Sequence, residues 1–450
     1  MRYPPLSATG KGNQLFEIAL LVVTPVALTG AFGVPAAPLV VAVGEAPASA
    51  ASAASDPLAA PATPLDGLHG IALLDRLDSL SRSDLGRFLD THPGAVAELL
   101  TSPPTAVDVA AWWTGAPTSG RVSLAALAPE LVGNLEGVPY AARDAANRDV
   151  LGAARDQLDD RLAGRVGRAE RDELETRAHM LDQVDQALEG GGRHLVSLDV
   201  TGDGRAVIAI GDLASADYVT FLVPGMFFGV DAQIDAWTQT AEELVDEQRD
   251  WSSRLHPGSD ASFAAVAWIG YTTPSLVNVA SMELAREGQD AFTASLHGIR
   301  AARGDDQPFV SVLAHSYGST AALLSLAEDD VSVDVLAVVG SPGSPARSAD
   351  ELHVGSVWVG AAAWDPIPAS GVFGSQPTSR AYGAQLFSVA AGVDPITGEQ
   401  LDGAVTHNDY FAPGGMSLRN LALISLGEGA HAVAPEHERG DFARAFTRIR

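Results

Sequence analysis

The stretch FVSVLAHSYGSTAALLSL, Phe309 to Leu326, runs from an apolar, β-branched segment into a run of good helix formers. Between the two lies Ala314-His315-Ser316-Tyr317-Gly318, a G-x-S-x-G type pattern with alanine at the first small position. A serine on so sharp a strand-to-helix turn is held at strained backbone angles. The residues two positions to either side must therefore be small, so that strand and helix can approach. Ala314 and Gly318 meet that demand. The turn lifts the Ser316 hydroxyl above the end of its strand and aims the first amides of the next helix at whatever the hydroxyl attacks. The simpler use of such a serine is to cap the helix that follows it.

Outward from this point, the rhythm from Arg193 onward is of strands separated by helices, the signature of a largely parallel sheet covered on both faces. Leu195 to Val200 and Ala206 to Gly211 are predicted strands joined by a turn at Gly202-Asp203-Gly204. That turn lacks the distal glutamate of a calcium loop. Tyr218 to Val223, Phe263 to Ile269, Phe309 to Ala314, Val333 to Val339, Val357 to Ala362 and Leu386 to Ala390 supply six more. Eight mostly parallel strands with a serine elbow after the fifth follow the order of an alpha/beta-hydrolase fold, with its catalytic part over 193–427.

The chain before the sheet divides into three. Residues 1–45 hold Arg2 and Lys11 and then an apolar run, Ile18 to Val43, broken by Pro25, Pro35 and Pro38. Residues 46–64 form an Ala/Ser/Pro-rich linker with A-x-A sites, so 1–45 is expected to be a secretory signal or a membrane anchor. A secreted or envelope-associated location is expected, with the cytoplasm as the alternative. Residues 65–192 show helical periodicity without a strand signal, ending at Gly190-Gly191-Gly192, and are expected to form an all-helical domain. Its Trp112-Trp113 and Leu124 to Leu135 are either buried within a bundle or part of a cap over the sheet near Gly137 to Tyr140. Residues 428–450 read as an acidic tail.

The 450 residues carry a formal net charge of -28 and 46% hydrophobic side chains. Such acidity disfavours nucleic acid and anionic lipid headgroups as partners. The absence of cysteine excludes disulfides, thiolate metal sites and a cysteine nucleophile. No phosphate loop or dinucleotide fingerprint is present, so no cofactor and no metal are expected.

Four further segments carry a resemblance together with the AHSYGS elbow: GSPG at Gly340 to Gly343, WDPI at Trp364 to Ile367, THNDYF at Thr406 to Phe411, and GNLEGVPYAARDAANR at Gly133 to Arg148. As a set they resemble an actinobacterial alpha/beta-hydrolase family first catalogued as a domain of unknown function. The resemblance covers most of the chain after the linker. It implies a serine hydrolase fold with a helical N-terminal extension and no particular substrate.

Ser316 needs a base, because an alcohol is a poor nucleophile until its proton is drawn off. In this fold the chain order is serine, acid, histidine. His407 lies beyond the last predicted strand and is the expected base, ahead of His431 and His437 in the tail. His315, adjacent to the serine, is expected to point elsewhere. Asp365 follows a predicted strand and precedes Pro366, and is the expected acid; Asp394, before Pro395, competes with it, and Asp350 is more distant. The oxyanion amides are expected from Tyr317 and from Met226 in Pro224-Gly225-Met226-Phe227. Phe227, Phe228 and Trp364 are candidate pocket residues, giving an apolar mouth suited to a small-molecule or lipid-like ester. Two functions are compatible with these residues. One is ester hydrolysis through an acyl-enzyme, with acyl transfer, thioester and peptide cleavage sharing the machinery. The other is a non-catalytic envelope or interaction role on the same fold.

Overall fold

In the computed structural model, residues 67–435 are described; the expected signal or anchor (1–45), the linker (46–64) and most of the tail lie outside them. The described residues cluster as one compact unit. Among the described residues, eight helices come first: α1 (Gly70–Asp78), α2 (Arg82–Thr91), α3 (Ala95–Thr101), α4 (Ala106–Gly115), α5 (Thr118–Leu127), α6 (Pro129–Asn134), α7 (Tyr140–Ala163) and α8 (Arg168–Ala187). Strands β1 (Arg193–Asp199), β2 (Arg205–Ile210) and β3 (Tyr218–Val223) follow, then α9 (Val230–Leu255), β4 (Phe263–Ile269), α10 (Glu283–Arg303) and β5 (Phe309–His315). The chain continues through α11 (Ser316–Ser325), β6 (Val333–Val339), β7 (Val354–Gly360), α12 (Ile367–Ser370) and β8 (Gln385–Leu386). A small hairpin of β9 (Gly392–Val393) and β10 (Gln400–Leu401) precedes α13 (Met416–Ser425).

The main sheet has eight strands in the order β1-β2-β4-β3-β5-β6-β7-β8. β2 runs antiparallel to both β1 and β4, and every other pair is parallel. Side chains alternate faces along each strand. Leu222 and Leu313 therefore join one core with Trp237 of α9 and Leu421 of α13. Phe221, Val223 and Val312 join the other with Phe292 of α10 and Leu323 of α11. With helices on both faces, this is the alpha/beta-hydrolase fold preceded by a helical region.

β1, β2 and β5 are shifted by one or two residues from their sequence-based bounds, and β7 and β8 differ more. β7 starts at Val354 because Val354 and Ser356 pair with Val333 and Val335, and it ends before Ala362, whose amide turns to the Tyr410 hydroxyl at 2.9 Å. β8 stops after Leu386, because Ser388 turns from β7 to the carbonyl of Val433 at 2.6 Å.

The helical region buries Trp112 and Trp113 in its own core, with Leu73, Leu77, Leu99 and Leu131. It also covers the sheet's edge. Among the described residues β1 has a neighbouring strand on one side only, and its outward backbone groups are taken up by side chains of α6 and α7. Asn134 Oδ1 accepts from the Leu198 amide at 2.9 Å, and its Nδ2 donates to the Leu198 carbonyl at 2.9 Å. Asp144 Oδ1 accepts from the Leu195 amide at 2.6 Å, and Asn147 Nδ2 donates to the Leu195 carbonyl at 3.0 Å. Arg148 reaches the Arg193 carbonyl at 2.8 Å. An uncovered edge of this kind is a template for strand addition. The Gly133 to Arg148 segment is thus the seam between helices and sheet. Gly137 lies against Ala106 and Val109 of α4, and Tyr140 packs into the core beneath α10.

Candidate active site

Ser316 sits where β5 passes into α11, with φ at 53°, a left-handed conformation costly for a non-glycine residue. Its neighbours explain how the turn persists. A Cβ at Gly318 would overlap the Pro224 carbonyl oxygen, and one at Gly225 would lie 2.6 Å from Ser316 Cβ. The β3–α9 loop therefore lies directly on the nucleophile's backbone. The GSPG segment supports the far side: the Ser319 hydroxyl bonds the Ser316 carbonyl at 2.6 Å and Ser341 Oγ at 2.7 Å, while Thr320 donates to the Gly343 carbonyl at 2.8 Å.

His407 Nε2 accepts from Ser316 Oγ at 2.7 Å, and His407 Nδ1 donates to Asp365 Oδ2 at 2.8 Å. These three side chains come from the ends of β5, the loop after β7 and the loop after β10, and they meet as a Ser-His-Asp triad. All three are buried. The THNDYF turn presents the histidine: Asp409 Oδ2 accepts from the amides of Val405 at 3.0 Å and Thr406 at 2.6 Å. Gly340, at φ 61°, lies under the imidazole, where a Cβ would come within 2.9 Å of His407 Cε1.

Asp365 Oδ2 accepts a second hydrogen bond, from the Tyr410 hydroxyl at 2.6 Å, and Oδ1 accepts from the Ile367 amide at 3.0 Å. Burial works against ionisation here, yet the bonds from His407, Tyr410 and Ile367 outweigh it and hold the carboxyl below its ordinary range. Burial, with the Asp365 charge beside it, pushes the Tyr410 phenol up, so it remains a donor.

Asp394 does not reach His407. It lies in the turn of the β9–β10 hairpin, paired with the buried Arg419 at 2.6 Å, and Arg419 in turn stacks on Trp251. Asp350 falls in a short turn of 3-10 helix at 349–351. His431 faces Glu428 at 3.6 Å, and His437 lies outside the described residues.

Tyr317 is the second residue of α11, directly after the nucleophile, so its amide is among the first of that helix. Its side chain goes the other way, donating to the Ser281 carbonyl at 2.5 Å. Met226 is half-buried beside Gly225. The next amide, that of Phe227, is committed to the Pro274 carbonyl at 3.1 Å. Phe227 itself has φ 62° and is 39% exposed. Phe228 turns inward, its ring 4.9 Å from that of Trp237. Trp364, at 78% exposed, stands on the surface next to Asp365 rather than in an enclosed wall.

Two residues support this site in roles that the local sequence does not give them, and one of them, His315, turns toward the base rather than away from it as expected. Tyr410 was visible only as part of a motif. His315, although beside the serine, packs under His407 with ring centroids 4.7 Å apart and Nε2 donating to the His407 carbonyl at 2.8 Å. Both contacts join residues about ninety or forty-five positions apart, beyond the reach of local pattern reading.

A family model described as Alpha/beta hydrolase matches residues 199–374. Two proteins of Mycobacterium tuberculosis, Uncharacterized protein MT2140 (strain CDC 1551 / Oshkosh) and Uncharacterized protein Rv2079 (strain ATCC 25618 / H37Rv), are each 30% identical over 390 residues, covering 74% of this chain. The chain spans 58% of the length of these relatives. Among solved structures, a hyperthermophilic esterase from the archaeon Pyrobaculum calidifontis aligns at 13% identity with a TM-score of 0.34, over 58% of this chain and 92% of that one. With the sheet, the serine elbow and the triad in place, the chain has the alpha/beta-hydrolase fold, and it is similar in sequence to these mycobacterial proteins.

Proposed function

We propose that the chain hydrolyses carboxylic esters through an acyl-enzyme on Ser316. The observation that carries this reading is the unbroken hydrogen-bond line from Ser316 Oγ through His407 to Asp365. Ser316 Oγ attacks the ester carbonyl carbon while His407 Nε2 takes its proton, and Asp365 fixes the tautomer and stabilises the imidazolium. The oxyanion is received by the Tyr317 and Met226 amides. Collapse breaks the bond to the alcohol oxygen, which leaves with the proton from His407. Water then attacks the acyl-enzyme by the same route, releasing the acid and restoring Ser316. A lipid-like ester, and an exported or membrane-tethered location, are the finer parts of the proposal. Their support is the apolar Phe227 beside the nucleophile's loop and the apolar Ile18 to Val43 run.

The test is labelling by a fluorophosphonate and turnover of 4-nitrophenyl acetate, each compared with Ser316→Ala. Loss of labelling and a fall of at least about a thousandfold in turnover are expected. A folded Ser316→Ala variant that keeps most of the activity would sink the assignment. A wild type that neither labels nor turns over esters would favour a binding role on this fold.

A further inference from the structure

A cavity of about 600 Å³ lies at the C-terminal edge of the sheet. Ile269, at the end of β4, and Tyr271 line it; Phe227 and Phe228 come from the β3–α9 loop, and Met180 from α8. Its volume falls in the range of small-molecule sites, roughly 300–1,000 Å³. Covalent geometry ties it to the nucleophile. Gly225 lies against Ser316, and Phe227 is two residues further on, which is at most about 7 Å of chain. The Tyr271 hydroxyl donates to the Pro224 carbonyl at 3.0 Å, fixing that wall to the same loop.

The strand order decides which half of an ester could lie there. Ser316 follows β5; β6, β7 and β8, with Asp365 and His407, lie to one side, and β3, β4 and the cavity to the other. The group that receives the proton from His407 Nε2 is the departing alcohol, so the alcohol must leave on the histidine side. The acyl substituent, bonded across the carbonyl carbon from it, then extends toward β4. The lining also carries charge: Glu173, Asp203 and Asp231 stand against one guanidinium, Arg177, which lies 3.7 Å from Glu173. Three carboxylates against one cation oppose an anionic occupant.

Resting on the ester-hydrolase reading, we propose that this cavity is the acyl subsite, that it accepts a neutral medium-chain acyl group and rejects one ending in a carboxylate, and that α8 of the helical region supplies its outer wall.

Three probes of graded acyl group test this: 4-nitrophenyl acetate, 4-nitrophenyl octanoate, and the half-ester of suberic acid with 4-nitrophenol, which matches octanoate in chain length but ends in a carboxylate. The wild type is expected to favour octanoate over the suberate half-ester in kcat/KM by at least about tenfold. Thr176 is exposed on α8 and lines the cavity, so Thr176→Trp adds an indole there without disturbing the core. It should lower the octanoate-to-acetate ratio of kcat/KM by at least about tenfold. Asp203→Lys should narrow the gap between octanoate and the suberate half-ester. Unchanged ratios in both variants, or no discrimination against the carboxylate by the wild type, would overturn the subsite. If no ester is turned over, the hydrolase reading has failed, and binding of methyl octanoate, followed by titration calorimetry, judges the cavity alone. Binding that Thr176→Trp weakens at least about tenfold upholds it; binding that is absent, or indifferent to that substitution, overturns it.

Discussion

His315 Nε2 donates to the backbone carbonyl of His407 at 2.8 Å, so the residue before the nucleophile holds the loop that carries the base. Burial, and then the neighbouring His407, push the His315 imidazole down to about 3 from an ordinary 6.5. An unfolded chain therefore takes up a proton at this histidine, between those two values, that the folded chain does not. Stability should fall as pH is lowered from about 6.5 toward about 3, at up to about 1.4 kcal/mol per pH unit for this one group. Asp365, held below the carboxylate range, adds its own loss only at lower pH. His315→Asn keeps a donor without the titration and should flatten the decline. Urea unfolding between about pH 7 and about pH 4.5 measures this, and parallel declines in the two proteins would refute it.

Asp365→Asn and Asp394→Asn should separate catalysis from stability. The first removes the acceptor that fixes the His407 tautomer and should lower kcat on the order of ten thousandfold. The second leaves Arg419 buried without its charge partner and should cost about 3–5 kcal/mol of stability, with much less effect on kcat in the protein that remains folded. Turnover and thermal unfolding of both variants decide it. The reverse pattern would transfer the acid's role to Asp394.

Gly225→Ala places a methyl group 2.6 Å from Ser316 Cβ, closer than carbon atoms tolerate. Either the elbow or the β3–α9 loop must move, which displaces an oxyanion amide from the serine. We expect kcat on 4-nitrophenyl acetate to fall by at least about a hundredfold while far-UV circular dichroism is retained. Near-wild-type turnover would place the oxyanion donors elsewhere.

A chain beginning at about Arg193 lacks α6 and α7 and leaves the outer edge of β1 bare. It should aggregate, because unpaired strand groups invite strand addition. In the full chain, Asn134→Ala removes an acceptor and a donor from Leu198 and should cost about 1–3 kcal/mol. A soluble, folded truncated chain would show that the helical cover is dispensable.

The elbow, the order of the strands and the histidine that serves as base were legible in the sequence because each depends on local demands. Small residues must flank a strained serine, apolar runs mark buried strands, and the chain order of the triad restricts the base to the segment after the last strand. The acid shows where such reading stops. Asp365 and Asp394 each precede a proline, and each accepts the amide two residues on, from Ile367 at 3.0 Å and Ile396 at 2.6 Å. Their local chemistry is the same turn. Only the tertiary structure separates them, by placing His407 against one and Arg419 against the other. The bond from Tyr410 to Asp365, the bond from His315 to His407 and the cover that α6 and α7 give to β1 are of the same kind. Each joins groups brought together by the sheet's crossovers and its packing, and no local periodicity encodes that meeting.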